Sequence, residues 1–185
     1  PPDMQGTWQE YLERWYQQNL FQLKGLLAPQ DVIHVTNTGF AGWLGSRLAN
    51  QFNRPLLLTE HAIYWKEVEM GAVALECGYK IPKNGQSKQR ITQAFKEIAK
   101  NTYASANQVV TVSRSNIPYQ EGIGAQNISY IPNGIPDSWL MESKVRSENP
   151  VIGWVGRCAE MKNPLAFFKW VEAFREIDVT PKFRM

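Results

Sequence analysis

The stretch DVIHVTNTGFAGWLGSRLANQFNRPLLLTEH (residues 31–61) decides the fold class of this 185-residue chain. It opens with a short apolar run, continues with large apolar residues at helical spacing, and closes on three leucines. The pattern is typical of a strand, a helix and a second strand. Because both strands are nearly all apolar, it favours a parallel sheet covered on both faces.

The same alternation continues toward the C-terminus. Apolar residues at three- and four-residue steps predict helices, and short apolar runs predict strands. The helices fall at about 7–26, 65–78 and 87–106, with a short one that ends at Gly122 or Gly124 and a last one from Pro164 to about Ile177, capped by Asn163. The further strands fall at 108–113, 127–131 and 151–155, and KFRM (182–185) begins another.

These elements predict an α/β fold: a Rossmann-like parallel sheet with helices on both faces, plus the first part of a second Rossmann-like domain. The stretch 133–150 is rich in Pro and Asn and has no periodicity, so we interpret it as a linker between domains. The predicted domains are therefore 1–132 and 151–185. The second is too small to bury a core by itself.

Composition excludes several classes of function. The net charge is +3, from 20 basic and 17 acidic residues, which is too mild to indicate nucleic-acid binding. The two cysteines form no CxxC motif, so we expect no metal site. We find neither a signal peptide nor an apolar run of about 20 residues, and we predict a cytoplasmic protein. The chain does not begin with Met, and we expect it to be a fragment.

Candidate site residues lie just after predicted strands, where parallel sheets bind ligands. Glu60 and His61 directly follow three leucines, and a carboxylate beside an imidazole can orient a sugar hydroxyl or tune a proton. Gly39 and Phe40 stand at the start of a helix, where backbone can approach a ligand closely. The alternatives are a solvated turn at Glu60 and His61 and an ordinary strand–helix turn at Gly39.

A cationic pair follows the strand at 151–155. Arg157 offers a planar fork of donors for phosphate oxygens, and Lys162 offers a compact charge next to a capped helix. This placement predicts a site for a doubly charged anion, with a solvated turn as the alternative. No dinucleotide fingerprint, P-loop or nucleophile-elbow motif occurs in the sequence.

Five segments in the same order carry a resemblance to a known family. YIPNGI (130–135) and VIGWVGRCAEMKNPLAFF (151–168) resemble the hinge and the first strand–helix unit of the second domain in retaining glycosyltransferases of family four, which have the GT-B fold. The segments 31–49, 54–67 and 102–120 are similar to PelF-like glycosyltransferases of exopolysaccharide assembly, which carry a segment LLTEHGIY.

The resemblance implies an acceptor-side domain over 1–132 and the start of a donor-binding domain over 151–185. Its donor would be a nucleotide-diphosphate sugar, UDP-glucose or a close relative, with the diphosphate held by Arg157 and Lys162. His61 would lie against the donor sugar, and no metal or other cofactor is expected. The paired glutamates of the family, spaced Glu-x7-Glu, would lie beyond Met185, so we expect this fragment to be inactive alone.

The resemblance also implies partners: a glycan acceptor and a membrane-associated polysaccharide-assembly complex, with peripheral binding to the inner membrane left open. Two other functions stay open at this point. One is a non-catalytic α/β module that binds a sugar or a partner protein of such a complex. The other is an epimerase of the same fold, which would also bind UDP-sugars.

Overall fold

The computed structural model describes residues 10, 13–14, 16–19, 30–71, 85–140, 151–156, 158, 162–176 and 182–184. The chain divides into two compact units, Pro1–Asn133 and Gly134–Met185. We call them unit 1 and unit 2 and describe each by itself. The division lies at the start of the predicted linker.

Unit 1 is built on a four-stranded sheet in which every strand pairs in parallel with the next one along the chain, in the order β1-β2-β3-β4. The strands are β1 (Ile33–Val35), β2 (Leu56–Glu60), β3 (Gln108–Thr111) and β4 (Ile128–Tyr130). The helices are α1 (Phe40–Phe52), α2 (Tyr64–Met70), α3 (Gly85–Ser105), a 3-10 turn (Arg114–Asn116) and α4 (Ile117–Glu121). The predicted α/β class with a parallel sheet flanked by helices is confirmed.

The helix boundaries agree with the sequence patterns where both are described. The helix predicted at 87–106 is α3, and the short helix predicted before Gly122 is α4. The helix predicted at 65–78 begins as α2 and ends at Gly71, whose φ of 72° is left-handed, while the rest of that prediction lies outside the described residues. Of the predicted N-terminal helix, residues 10, 13–14 and 16–19 are described, and they are helical.

Two glycines let α1 lie close to its neighbours. A Cβ atom at Gly45 would lie 2.3 Å from Cγ1 of Val35 in β1, so a side chain there would collide with the sheet. A Cβ atom at Gly42 would lie 2.6 Å from the carbonyl oxygen of Asn37 and 2.9 Å from Oγ1 of Thr102 in α3. These glycines serve close packing between α1, the sheet and α3.

The two faces of the sheet differ in their cover. Leu56, Leu58 and Glu60 alternate along β2 on the face that α1 covers, and all three are completely buried. On the other face, Leu57 and Thr59 are half-buried and His34 is exposed. His34 Nε2 lies 2.9 Å from Oγ1 of Thr59. His34 is therefore hydrogen-bonded although it is exposed.

The described part of unit 2 contains a 3-10 turn (Asp137–Trp139) and a β–α–β element. Its strands β5 (Val151–Gly153) and β6 (Lys182–Arg184) pair in parallel, with α5 (Pro164–Arg175) between them in the chain. Asn163 caps α5 as predicted, because its Oδ1 accepts a hydrogen bond from the amide of Ala166 at 3.3 Å, and Pro164 follows it in the first turn.

The buried face of α5 is narrow. Phe167 is its buried residue, and the rings of Phe167 and Phe174 lie 5.9 and 5.8 Å from the ring of Phe183 in β6. Three other apolar residues of α5, Leu165, Phe168 and Trp170, are exposed at 69%, 51% and 62%. The described part of unit 2 offers them too little surface to pack against, in line with the small core expected for this segment.

Candidate functional site

The candidate site is the edge of the unit 1 sheet where the strands end at their carboxyl termini. Because the four strands are parallel, the segments that follow them, beginning at Thr36, His61, Val112 and Ile131, all start from this edge. Ligands of open parallel α/β sheets bind at this end of the strands. We call this region the carboxyl edge.

A buried carboxylate lies under the carboxyl edge. Glu60, the last residue of β2, has no exposed surface, and its oxygens accept three side-chain hydrogen bonds. Thr38 Oγ1 donates to Oε1 at 2.6 Å, while Tyr103 OH and Gln120 Nε2 donate to Oε2 at 2.5 and 2.8 Å. We call these four residues the Glu60 network. Its donors come from the β1–α1 loop, from α3 and from α4, so one carboxylate ties three segments together.

Burial has the largest effect on the pKa values of Glu60 and Tyr103. It raises the pKa of Glu60 above the ordinary 4.5, against the opposing effect of the hydrogen bonds from Gln120, Thr38 and Tyr103. Burial also raises the pKa of Tyr103, and the adjacent Glu60 carboxylate raises it further. The Tyr103 hydroxyl therefore keeps its proton and acts as a donor.

The raised pKa of Glu60 gives a testable pH dependence. A carboxyl group that binds its proton more tightly in the folded state stabilises the fold below its unfolded pKa, and this contribution is lost as pH rises through the folded pKa. Relative to a Glu60→Gln variant, the wild-type free energy of unfolding should therefore fall as pH rises above 4.5. Urea unfolding of both proteins from about pH 4 to pH 8 measures this difference. The raised pKa of Glu60 would be contradicted if the wild-type free energy of unfolding, relative to that of Glu60→Gln, stayed constant or increased with pH.

Glu60 and His61 take different places although they are adjacent. Glu60 is completely buried, which favours a role inside the fold, and its predicted catalytic role stays a prediction. The sequence suggested a contact because the residue follows an apolar strand, yet its side chain points to the face that the helices cover. His61 is exposed at the carboxyl edge, and none of the other described residues hydrogen-bonds to its ring in the structure. Its predicted role against the donor sugar stays a prediction.

Gly39 and Phe40 form the start of α1 at the same edge. The amide of Gly39 donates to Oδ1 of Asn37 at 2.9 Å, and its carbonyl accepts from the amide of Trp43 at 3.0 Å. A Cβ atom at Gly39 would lie 3.1 Å from Cε1 of Tyr64, so close packing accounts for the glycine. Phe40 is half-buried, with its ring 5.4 Å from that of Phe95. Their predicted contact with an acceptor stays a prediction.

Two cation–aromatic pairs extend the carboxyl edge. Lys66 Nζ lies 3.8 Å from the ring centre of Tyr119, and the guanidinium carbon of Arg114 lies 4.9 Å from that of Tyr130. Both tyrosines are partly exposed, at 42% and 40%. Positive charge and aromatic surface therefore lie together near the ends of β2, β3 and β4.

The predicted diphosphate site is described in part. Lys162 is exposed directly before Asn163, while Arg157 lies outside the described residues, so the distance between the two cations stays a prediction. The start of α5 offers fewer amide donors than expected. Pro164 has no N–H group, and the amide of Ala166 already donates to Asn163. An anion at this helix would therefore be held mainly by side-chain charge.

The sequence did not predict three members of the network: Thr38, Tyr103 and Gln120. The sequence carried one signal for Tyr103, because this residue continues the apolar stripe of α3 and should therefore be buried. A buried tyrosine hydroxyl needs a hydrogen-bond partner, and a carboxylate in a core strand needs donors. Within the described residues, no group of three or more His, Cys, Asp or Glu side chains could hold a metal ion. None of the described helices has the length and apolar character to cross a membrane.

The fold and its carboxyl edge define an α/β protein with a Rossmann-like parallel sheet. Residues 8–127 match the family model described as "Domain of unknown function (DUF3492)". Because the match covers more than half of the chain, the protein belongs to this family. The domain is found in proteins associated with glycosyltransferases like those of family four. No curated protein matches the chain.

Proposed function

We propose that the protein is part of a retaining, PelF-like glycosyltransferase of family four. It would transfer a hexose from a nucleotide-diphosphate sugar, with UDP-glucose as the first candidate, to a polysaccharide or glycoconjugate acceptor. The observation that carries the proposal is the family match, since this domain is found in proteins associated with such enzymes. The motif order from residue 31 to residue 168 gives independent support from the sequence.

The proposed donor site uses Lys162 and Arg157 to neutralise the diphosphate. The exposed ammonium group of Lys162 next to the capped end of α5 supports this role. In the proposed reaction the bond between the sugar C1 and the diphosphate oxygen breaks, and a bond from C1 to an acceptor hydroxyl oxygen forms. The hydroxyl proton leaves with the nucleoside diphosphate. Fixed positive charge stabilises the leaving diphosphate, whose charge grows in the transition state.

The proposed acceptor side is the carboxyl edge of unit 1. His61 is exposed there and has the donor and acceptor groups that a sugar hydroxyl requires. The partly exposed rings of Tyr119 and Tyr130 add flat apolar surface with a cation beside each. Polar side chains next to aromatic surface are the combination expected for a glycan, which presents hydroxyls on its rim and apolar C–H groups on its faces.

Calorimetric titration of the full-length protein with UDP-glucose tests the proposal. Lys162→Ala should weaken binding roughly ten- to a hundredfold, because a hydrogen bond to a charged group contributes about 1.5–3 kcal/mol. Arg157→Ala should weaken it at least as much, since a bidentate contact is lost. Lys169→Ala is the matched control: it removes another exposed lysine, within α5, and should leave the affinity unchanged.

Product analysis of the same samples separates the alternatives. Release of UDP with transfer or hydrolysis of glucose supports the transferase, and the corresponding His61→Ala protein should lose turnover. Binding without turnover that is unchanged in Arg157→Ala and Lys162→Ala would instead indicate the non-catalytic module. An epimerised UDP-sugar would indicate the epimerase. No binding at millimolar UDP-glucose would contradict the proposal.

A further inference from the structure

We propose that Glu60 is a positioning residue of the acceptor side: its buried carboxylate holds three segments of the carboxyl edge in one fixed arrangement. The proposal rests on the proposed function for its catalytic consequence, and on the geometry of the Glu60 network for everything else. It gives this glutamate a role in the reaction without any contact to substrate.

Two of the three hydrogen bonds of the network, those from Thr38 and Gln120, end next to a residue of the carboxyl edge. Thr38 directly precedes Gly39, the residue at the start of α1. Glu60 itself directly precedes His61. Gln120 directly follows Tyr119, whose ring centre lies 3.8 Å from Nζ of Lys66. The carboxylate therefore fixes the spacing between the α1 start, the histidine and the tyrosine–lysine pair.

The orientation of the Gln120 amide supports a role of the Glu60 carboxylate in positioning this residue. Its Nε2 donates to Glu60, while its Oε1 is buried and has no hydrogen-bond partner among the described residues. A buried acceptor without a partner is unfavourable, so an amide keeps such an orientation when its donor has a strong acceptor to meet. The opposite orientation would place the amide oxygen against an oxygen of Glu60.

Packing alone does not explain why a carboxylate occupies position 60. A core strand gains more stability from an apolar residue than from a buried carboxylate that must be solvated by three side chains. Leu56 and Leu58, on the same face of β2, are completely buried apolar residues of the kind that packing alone favours. Glu60 departs from this pattern at the last residue of the strand, where it meets the β1–α1 loop, α3 and α4.

Thr38 provides the sharpest test because its hydroxyl can be removed without a change of shape. In Thr38→Val a methyl group replaces the hydroxyl and the bond to Glu60 is lost, whereas Thr38→Ser keeps the hydroxyl. Thr111→Val is the matched control: Thr111 is also completely buried and pairs in register with Glu60, but its hydroxyl donates to the carbonyl of Ser113. Hydrogen exchange and steady-state kinetics are measured on the full-length protein for all three variants.

We expect Thr38→Val to speed amide exchange at residues 37–40 and 61–63 by about tenfold, the factor that loss of one buried hydrogen bond gives a local opening. Exchange in β4 should not change. The turnover number for sugar transfer should fall about ten- to a hundredfold with the KM for the donor within about twofold, as for a misplaced catalytic group. Thr38→Ser should restore both quantities.

Three results would overturn the inference: exchange in Thr38→Val that matches Thr111→Val, exchange that accelerates equally throughout unit 1, and a Thr38→Ser variant as impaired as Thr38→Val. Failure of the proposed function is a separate result. If the wild-type protein turns over no nucleotide sugar, the transferase proposal fails. The exchange pattern then decides alone whether Glu60 holds the three segments together.

Discussion

A Glu60→Leu variant is expected to lose about 3–5 kcal/mol of its free energy of unfolding, because three buried donors lose their shared acceptor. Leucine would leave the hydroxyls of Thr38 and Tyr103 and the amide of Gln120 buried without their acceptor. Each unsatisfied buried donor costs about 1–3 kcal/mol. Because small domains have about 5–15 kcal/mol in total, this single change removes much of the stability of unit 1.

Urea unfolding followed by tryptophan fluorescence measures this loss, and two variants serve as controls. Glu60→Gln keeps the shape and can still accept from Tyr103 and Gln120 while its amide donates to the Thr38 oxygen, so it should lose much less. Glu121→Leu places the same substitution at an exposed position of α4 and should change stability by about 0.5 kcal/mol or less. A Glu60→Leu protein as stable as the wild type would show that the three donors find other partners.

Phe95→Ala is expected to cost a similar amount, about 3–5 kcal/mol, because it opens a cavity in the core. Phe95 is 1% exposed on α3, and its ring lies 5.4 Å from Phe40 and 5.3 Å from Tyr64. Such aromatic pairs add about 0.5–1.5 kcal/mol beyond the buried area. The substitution removes the support under both the start of α1 and the start of α2, two elements that flank His61 in the chain.

The same unfolding experiment tests this expectation. Phe168→Ala in α5 removes a ring that is 51% exposed and should cost about 1 kcal/mol or less. Phe95→Leu should lie between the alanine variant and the wild type, since it fills most of the cavity. Equal losses for Phe95→Ala and Phe168→Ala would mean that the ring cluster contributes little to the core.

The fold of unit 1 could be predicted because its signals are local. The apolar runs at β2 and β3 and the spacing of α3 identify strands and a helix without knowledge of their neighbours. Strand ends follow from the same patterns, which is why Glu60 and His61 were correctly placed at the end of β2. The parallel arrangement then places the segments that follow β1, β3 and β4 at the same edge.

The Glu60 network could not be predicted in the same way, because its donors are distant in sequence. Thr38, Tyr103 and Gln120 are separated from Glu60 by 22, 43 and 60 positions. A carboxylate after an apolar run has the same local pattern whether it faces solvent or three buried donors. Which of these holds depends on the packing of α3 and α4 against β2, and no local pattern carries that information.

The buried face of α5 could be predicted only in part, for a related reason. Apolar residues surround most of this helix, so periodicity alone does not single out one face. The sequence pattern favoured Phe174 together with Leu165, Phe168, Trp170 and Val171, but not Phe167. In the structure the rings of Phe167 and Phe174 pack near Phe183 in β6. The strand that makes the selection follows the helix in the chain, and its contribution is visible only once β5 and β6 have paired.

The strand order β1-β2-β3-β4 has a consequence for biosynthesis. Translation proceeds from the N-terminus at roughly 5–20 residues per second, so each strand of this sheet leaves the ribosome after the edge it joins. Assembly can follow synthesis without threading a strand between two that have already paired. Gln120 emerges late, because it lies in the β3–β4 connection. Until then, Glu60 in the nascent chain lacks one of its three hydrogen-bond donors. A polypeptide that ends before Gln120 would therefore bury the Glu60 carboxylate with one hydrogen-bond donor fewer.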